Sequence, residues 1–327
     1  MLKDTFNRDH HYLRISLTDK CNLRCSYCNP VDLPKGYFAH SNKMSVDEID
    51  TIAGTFVQLG IKKIRLTGGE PLVRKDAKEI IRRLSKYPVE LAITTNGVFV
   101  HEFIEVFQQA GLQSVNVSLD SLKKDTNTLI TGRDEFDRVI QNIGLLLKNN
   151  FRVKINTVVI KGVNEHELPH FVEWTKHEPV HVRFIEFMPF TGNQWSREKV
   201  FSHDEMLQLI AKQYAFINLP NKKHDTDKKY AVAGHQGTFA IISTMSRPFC
   251  SGCNRLRLTT DGKMKNCLFS KSEVDILSAL RSGSDIVPLI KQCVWSKDEM
   301  LGGQFSTAYE KLDSSKINNR SMINIGG

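Results

Sequence analysis

The sequence lacks the features of a membrane protein or an exported protein. No run approaches the ~18 apolar residues that a membrane-spanning helix needs, and the first residues lack the apolar stretch of a signal peptide. Low-complexity tracts and internal sequence repeats are also missing. We therefore expect a cytoplasmic protein without a membrane partner, in a reducing compartment where its seven cysteines stay free for metals or catalysis.

Acidic residues are outnumbered, with 36 Asp and Glu against 45 Lys and Arg, which gives a formal charge of +9. This excess favours an anionic partner, such as a nucleic acid, a nucleotide or a phosphate ester, although a well-solvated basic surface would account for it equally well. The 327 residues, 40% of them hydrophobic, can bury a large core. This length suggests two domains, or one barrel with an extension.

The first two thirds of the chain alternate β-rich runs with amphipathic helical stretches. This rhythm predicts a parallel sheet with right-handed crossovers, whose strands read as nearly continuous apolar runs. Six such units suggest either an open barrel or a doubly wound sheet, and the spacing does not separate the two. The predicted strands cover residues 12–18, 63–67, 89–95, 114–119, 154–160 and 181–187. The predicted helices cover residues 46–59, 76–86, 101–110, 135–149, 165–176 and 204–214.

Capping pairs and a turn mark further elements. Ser45 with Glu48, and Ser202 with Glu205, have the spacing of helix capping boxes. Asp261-Gly262 predicts a hairpin turn, preceded by β-like runs at 230–233 and 238–245. Helical stretches at 273–281 and 285–295 follow, and then a polar tail.

A first cysteine triplet, Cys21-x3-Cys25-x2-Cys28, follows the first predicted strand. Three thiols within eight residues converge on one centre only if the loop wraps around it. Structural zinc takes four protein ligands, whereas three leave an open coordination position that suits a cubane iron–sulfur cluster. A zinc site completed by a distant histidine stays open as an alternative.

A second triplet, Cys250-x2-Cys253-x13-Cys267, spans the predicted hairpin, which could return Cys267 to the first two cysteines. Cys293 lies on an apolar helix face and is expected to fill the core. Two sites that each lack a fourth thiolate are hard to explain as two zinc sites, because open positions are what catalysis uses.

These motifs carry a resemblance. Cys21-x3-Cys25-x-Tyr27-Cys28 resembles the signature of the radical S-adenosylmethionine superfamily, and Thr67-Gly68-Gly69-Glu70-Pro71 is similar to its glycine-rich methionine-binding turn. The second triplet, Arg255-Leu256-Arg257 and the terminal Gly-Gly resemble the GTP 3′,8-cyclase family within that superfamily. The implied α/β fold is an incomplete (βα)6 TIM-like open barrel over residues 1–235, with a C-terminal α+β extension over 236–327 carrying a second cluster.

The resemblance also implies cofactors and ligand residues. Two 4Fe–4S clusters would be held by Cys21, Cys25 and Cys28, and by Cys250, Cys253 and Cys267. S-adenosylmethionine would be contacted by Tyr27, Gly69, Ser118 and Met188. The substrate GTP would be contacted by Arg14, Arg65, Thr94, Lys154, Arg255, Leu256 and Arg257. The residues expected to act at the reaction centre are Arg255, Arg257, Gly326 and Gly327, the last two because the tail would insert where only residues without side chains fit.

The implied reaction is a radical cyclisation. A 5′-deoxyadenosyl radical would remove hydrogen from C3′ of the ribose, and C3′ would attack C8 of a guanine bound to the second cluster. Reduction would give (8S)-3′,8-cyclo-7,8-dihydroguanosine 5′-triphosphate, the first product on the route to the molybdenum cofactor. The implied partners are an electron donor protein and the next molybdopterin-pathway enzyme, with the chain a monomer or a homodimer.

Other interpretations of the same residues remain. Each basic strand residue could form an ion pair with a carboxylate such as Glu186. Gly68-Gly69 could be a plain turn, and Ser118 could form a hydrogen bond with the local backbone. Met188 could fill the core, and the C-terminal tail could be frayed. The whole chain could be a zinc-bearing nucleic-acid-binding module, or a radical enzyme with another substrate. Scattered basic residues and the lack of RNA-recognition motifs argue against nucleic acid as a partner, and the second triplet with Arg-x-Arg argues against another substrate.

Overall fold

The computed structural model describes residues 1–28, 43–305, 309–313 and 317–326; Gly327, predicted at the reaction centre, lies outside them. In these ranges the strands are β1 Leu2–Lys3, β2 Asp9–His10, β3 Tyr12–Ser16, β4 Lys63–Thr67, β5 Glu90–Thr95, β6 Ser114–Ser118, β7 Arg152–Val159, β8 His181–Glu186, β9 Phe216–Asn218, β10 Lys228–Val232, β11 Thr238–Ile242, β12 Arg255–Leu258, β13 Lys263–Lys265 and β14 Val274–Asp275. The α-helices are α1 Val46–Gln58, α2 Ala77–Leu84, α3 Ile104–Gln109, α4 Lys124–Thr131, α5 Phe136–Lys148, α6 Leu168–His177, α7 His203–Ala211, α8 Ile276–Arg281, α9 Val287–Trp295 and α10 Met322–Ile325.

Within the described ranges, twelve strands form one sheet in the order β14-β13-β12-β3-β4-β5-β6-β7-β8-β11-β10-β9. Neighbours from β12 to β11 are parallel, and the two outermost strands at each end are antiparallel. The six predicted strands are confirmed as β3 to β8. The sheet has distinct edges at β14 and β9, so it is open, and the α/β class is confirmed.

The last third of the chain extends both sides of this six-stranded unit. β11 pairs with β8, and β12 pairs with β3, each in parallel. The hairpin predicted at Asp261-Gly262 is confirmed as the antiparallel pair β12–β13. The proposed division between residues 235 and 236 stays a prediction.

The hydrophobic core lies between the helices and one face of the sheet. Leu13 and Ile15 on β3 are fully buried in it, as are Ile155 on β7 and Phe184 on β8. The alternate residues of the same strands face the other side, because side-chain direction alternates along a strand. The strands are therefore not the continuous apolar runs that we predicted. The face of the sheet that points away from the helices, called the inner face below, is polar and forms the candidate site.

Several local predictions can be compared with the structure. Both capping boxes are confirmed, at the starts of α1 and α7. The sequence reasoning missed α4 because its buried face is largely polar, with Asn127 and Thr131 buried while Leu129 is exposed. Cys293 is buried in the hydrophobic core, as predicted. The longest helices in the described ranges, α1 and α5, have 13 residues each, too few for the ~20 apolar residues that cross a bilayer, so none spans a membrane.

Candidate active site between two cysteine triplets

The first triplet lies in the loop that follows β3, and its thiols are free. Burial raises the pKa of Cys21 to about 11 and that of Cys28 to about 12, and it raises the pKa of Cys25 well above its usual value. Cys21 and Cys28 also raise the pKa of Cys25, and Cys21 raises that of Cys28. Three half-buried thiolates in one loop of eight residues would need a cationic centre to neutralise them.

The described residues contain no group of three His, Cys, Asp or Glu side chains placed to hold one metal ion. The thiolates of a cubane cluster bind different irons, so this finding concerns mononuclear sites.

The Gly68-Gly69 turn after β4 lies against the chain that leads into the first triplet. Gly69 donates its backbone N–H to Thr18 O at 2.6 Å, and Glu70 donates to Lys20 O at 2.8 Å. A Cβ atom on Gly69 would stand 2.5 Å from Lys20 O, which is too close for any side chain. The glycines therefore allow two backbone segments to meet, and this contact fixes where the triplet loop begins.

Glu70 ties the same turn to the end of β5. Its carboxylate is fully buried and accepts hydrogen bonds from Leu72 N at 3.0 Å, Thr95 Oγ1 at 2.7 Å and Asn96 N at 2.6 Å. Burial raises the pKa of Glu70 to about 7, although the three donors favour its ionised form. The Asn96 side chain in turn donates to Asn22 Oδ1 at 2.8 Å, inside the triplet loop.

The four residues predicted to contact S-adenosylmethionine lie beyond the carboxyl ends of strands. Gly69 follows β4, Ser118 ends β6, Met188 follows β8, and Tyr27 lies in the triplet loop after β3. Tyr27 donates its hydroxyl to Asp120 Oδ2 at 2.7 Å. These ends share one edge of a parallel sheet, where α/β folds bind ligands.

The second triplet lies at the opposite edge of the sheet. Cys250 and Cys253 bracket a short 3-10 turn directly before β12, and the β12–β13 hairpin returns the chain to Cys267. Burial raises the pKa of Cys250, with contributions from Cys267 and Cys253, which shows that these thiols also lie together. Leu301 N donates to Cys250 Sγ at 3.5 Å.

Arg8, from the β1–β2 hairpin, supports this triplet from outside. Its guanidinium is buried and paired with Asp4 at 2.6 Å. It donates to the backbone oxygens of Cys250 at 3.0 Å, Glu299 at 2.5 Å and Asp298 at 2.7 Å. One side chain thus ties the cysteine turn to the segment after α9.

The two triplets lie at opposite ends of one pair of parallel strands. Cys253 precedes β12 and Cys21 follows β3, and Arg255 is paired in register with Tyr12. The four residue steps along β3 span about 13 Å, at about 3.3 Å per residue. The inner face of the sheet therefore runs between the triplets over a length suited to a nucleotide.

Basic side chains occupy this inner face. Arg257, Arg14 and Arg65 stand in one row across β12, β3 and β4. Burial, together with the neighbouring arginines, lowers the pKa of Arg14 and of Arg183 to about 10. Burial and the cations around it, first Arg183, lower the pKa of Lys154 to about 8. A buried group of like charges is costly without an anion.

The carboxylate proposed as their alternative partner is engaged elsewhere. Glu186 accepts hydrogen bonds from the backbone N–H groups of His203, Met245 and Ser246, so the ion pair suggested for it is wrong. Arg65 instead donates to Tyr12 Oη at 2.5 Å and to Ile93 O at 2.9 Å.

The remaining residues predicted to contact GTP have different positions. Thr94 Oγ1 lies 3.5 Å from Arg65 Nη1, on the inner face. Arg255 lies beside the second triplet, with Nη2 3.9 Å from Cys253 Sγ. Leu256 is fully buried in the core on the opposite face of β12, so it could reach a nucleotide only through its backbone.

The sequence reasoning missed three polar residues on the inner face. Arg183 Nε, Asn116 Oδ1 and Asn156 Oδ1 are buried and have no hydrogen-bond partner within the described part of the chain. Asn156 is in register with Arg183, and Asn116 with Lys154. Unsatisfied buried polar atoms are rare and call for a ligand or water. The alternation of polar and apolar residues along β6 to β8 was the signal that could have found them.

The C-terminal tail enters the same space. Ile323 and Ile325 of α10 are buried, and Gly326 has a φ of +85°. A Cβ atom on Gly326 would stand 2.6 Å from Thr67 Oγ1 and 2.9 Å from Ser16 Cβ, and Arg257 donates to its carbonyl oxygen. The described part of the tail is therefore inserted at the ends of β3 and β4 and not frayed.

Comparisons with known families agree with this architecture. The Radical SAM superfamily matches residues 15–175, and the Molybdenum Cofactor Synthesis C family matches residues 180–302. Streptococcus suis SuiB bound to S-adenosylmethionine has a similar structure, with a TM-score of 0.63 and 16% identity over 90% of this chain and 67% of that chain. This likeness shows the fold and confirms the TIM-like partial barrel.

Curated relatives are more similar in sequence. Molybdenum cofactor biosynthesis protein 1 of Drosophila melanogaster is 44% identical over 90% of this chain and 54% of its own length. The mitochondrial GTP 3′,8-cyclase of Arabidopsis thaliana is 43% identical over 100% of this chain and 84% of its own length. GTP 3′,8-cyclase of Rhodopirellula baltica is 39% identical over 100% of this chain and 92% of its own length. The chain spans about half the length of the first curated relatives that it matches.

Proposed function

Since the chain belongs to the GTP 3′,8-cyclase family of radical S-adenosylmethionine enzymes, we propose that it converts GTP into (8S)-3′,8-cyclo-7,8-dihydroguanosine 5′-triphosphate. This would be the first step of molybdenum cofactor biosynthesis. The observation that carries the proposal is the group of half-buried cations and unsatisfied polar atoms on the inner face of the sheet, between two cysteine triplets.

The first triplet fits an iron–sulfur cluster that binds S-adenosylmethionine. Cys21, Cys25 and Cys28 would hold this cluster, and a set of three thiolates would leave room for the cofactor to bind. When bound, this group would supply the electron that releases a 5′-deoxyadenosyl radical from S-adenosylmethionine. The protein's part is to hold the triplet loop through the Gly69 and Glu70 contacts, and to place Tyr27 and Met188 beside the cofactor.

The inner face would hold the triphosphate. Arg14, Arg65, Lys154 and Arg183 come from four neighbouring or linked strands of the sheet, and the charge of Arg65 lowers the pKa of the other three. A triphosphate would relieve their repulsion through charge-assisted hydrogen bonds. Asn116 and Asn156 would offer acceptors to hydroxyl or amino groups of the same ligand.

Cys250, Cys253 and Cys267 would hold a second 4Fe–4S cluster at the end of the site where the guanine base would bind. This triplet lies at the opposite end of β12 and β3 from the first triplet, so a nucleotide lying along the strands would place its ribose toward S-adenosylmethionine. Holding the reacting atoms in this way converts the cyclisation into a step within one bound molecule.

The inserted tail would help to close the site. Gly326 fills the space beside Ser16 and Thr67, and its carbonyl oxygen accepts from Arg257. Excluding water protects a radical from side reactions.

The remaining expectations stay predictions: an electron donor protein, a following enzyme of the molybdopterin pathway, a monomer or a homodimer, no nucleic-acid partner and a cytoplasmic location. The relative from Arabidopsis thaliana is named as mitochondrial, so relatives do not share one compartment.

The test is product analysis. Anaerobic protein reduced with dithionite and given S-adenosylmethionine should form 5′-deoxyadenosine and a cyclised nucleotide with GTP, and far less with ATP, CTP or UTP. Lys154→Met should slow GTP turnover, whereas the surface variant Lys176→Met should not, because Lys176 is exposed on α6. Equal turnover with every nucleotide would contradict the assignment of GTP.

A further inference from the structure

Lys297 is a buried lysine beside the second triplet that the proposed function does not use. It lies just after α9 and is 3% exposed. Its backbone N–H donates to Val294 O at 3.1 Å, so it continues the last turn of the helix. Its Nζ lies 3.5 Å from Cys253 Sγ and 3.1 Å from Arg255 O.

The surroundings of this ammonium group contain little to balance its charge. Among the described residues, no carboxylate oxygen lies within salt-bridge distance of Nζ. The titratable side chains on which its charge acts include Cys253, Cys293 and His10. Within the described part of the chain, Cys253 is the side chain in contact with Nζ that can carry a balancing negative charge, as a thiolate.

The first triplet has the opposite surroundings. Two carboxylates lie in its hydrogen-bond network: Asp120 accepts from Tyr27 Oη at 2.7 Å, and Glu70 accepts from the backbone N–H of Asn96, whose side-chain Nδ2 lies 3.8 Å from Cys21 Sγ. At the second triplet, Arg255 Nη2 lies 3.9 Å and Lys297 Nζ 3.5 Å from Cys253 Sγ. The two ends of the site therefore differ in charge in a way that no cysteine motif indicates.

We propose that Lys297 is a positioning residue for the second cluster, whose ammonium group holds the Cys253 thiolate and makes that cluster easier to reduce. Hydrogen bonds and positive charge near the sulfurs raise the reduction potential of iron–sulfur clusters, because reduction adds negative charge. The inference depends on the proposed function only in requiring a cluster at the second triplet.

The test uses the full chain with Cys21, Cys25 and Cys28 replaced by alanine, so that only the second triplet binds iron. In this background, an EPR-monitored redox titration compares Lys297 with Lys297→Met, which keeps the length and apolar stem of the side chain. We expect a tenfold shift of the reduction equilibrium, which is about 59 mV toward more negative potential for a one-electron couple. Lys297→Arg should restore most of the potential, and the control Lys291→Met, at an exposed position on α9, should not shift it.

The outcomes are distinct. An unchanged potential in a Lys297→Met protein that keeps its iron would overturn the inference. Loss of iron in Lys297→Met but not in Lys297→Arg would support it, because the charge would then be needed to hold the cluster. Loss of iron in both variants would assign Lys297 to packing alone and overturn the inference. A background protein without iron at the second triplet would contradict the proposed function itself, and this inference with it.

Discussion

Replacing Gly326 by alanine should separate the inserted tail from the rest of the fold. Gly326 combines a φ of +85° with a space that admits no Cβ atom, since that atom would stand 2.6 Å from Thr67 Oγ1 and 2.9 Å from Ser16 Cβ. The backbone strain alone costs about 1–3 kcal/mol for a residue other than glycine. A cost of about 2 kcal/mol, at about 1.4 kcal/mol for each factor of ten, shifts the tail about 30-fold toward an undocked state.

The assay is GTP turnover together with limited proteolysis of the tail. Gly326→Ala should speed cleavage of the tail by protease and lower cyclisation of GTP, each by up to about 30-fold, while iron content and the thermal unfolding midpoint stay close to those of the parent protein. Gly111→Ala is the matched control, because Gly111 has a φ of +63° but nothing within 4 Å of an added Cβ atom. Parent-like turnover together with parent-like proteolysis in Gly326→Ala, or an equal change in both variants, would refute the reasoning.

Three further predictions concern Arg8 and His10, which lie near the second triplet, and Arg183 on the basic inner face. Arg8→Met removes one partner of a buried ion pair with Asp4 and should lower the free energy of unfolding by about 3–5 kcal/mol. Iron analysis should show loss of iron at the second triplet only. An unchanged denaturation midpoint would contradict this prediction. Burial, and then Lys297, lower the pKa of His10 to about 4 from its usual 6.5, so the folded state favours neutral His10. At 1.36 kcal/mol per pKa unit, this preference contributes about 3 kcal/mol to the free energy of unfolding. The contribution is complete above pH 6.5 and is lost as the pH falls toward 4. Denaturant titrations should show that His10→Gln loses less stability between pH 7 and pH 4.5 than the parent protein does. Equal losses in the two proteins would exclude His10 as the cause of the acid destabilisation. Arg183→Met should weaken GTP binding about tenfold to a hundredfold, by the loss of charge-assisted bonds, because Arg183 Nε has no hydrogen-bond partner among the described residues. Unchanged binding with a lower thermal unfolding midpoint would instead assign Arg183 to stability, through its attraction to Asp227.

The local elements could be predicted from the sequence because their signals are local. Each of the six central strands was placed within two residues, and the Ser45–Glu48 and Ser202–Glu205 pairs marked the starts of α1 and α7. α4 was missed because it buries Asn127 and Thr131, so its hydrophobic period is weak. β10 begins at Lys228, two residues before the β-like run that we predicted at 230–233.

The assembly of the site depends on contacts that are distant in sequence. Nothing in the pattern of residues indicates that β12 joins β3, or that Arg8 binds the backbone oxygen of Cys250, 242 residues away. Lys297 is 44 residues from Cys253 and follows an ordinary amphipathic helix. Asn156 and Arg183 could have been found, because each occupies an inner-face position on its strand. The cysteines were recognisable because their spacing is itself the chemical signal.

The most direct test of the account is EPR spectroscopy of the reduced chain in which Cys21, Cys25 and Cys28 are replaced by alanine, recorded with and without GTP. We predict the signal of a single 4Fe–4S cluster, with about four irons per chain, whose line shape changes on addition of GTP and not on addition of S-adenosylmethionine. A protein that binds zinc in place of iron, or a cluster signal that GTP leaves unchanged, would contradict the claim that the second triplet faces a bound nucleotide.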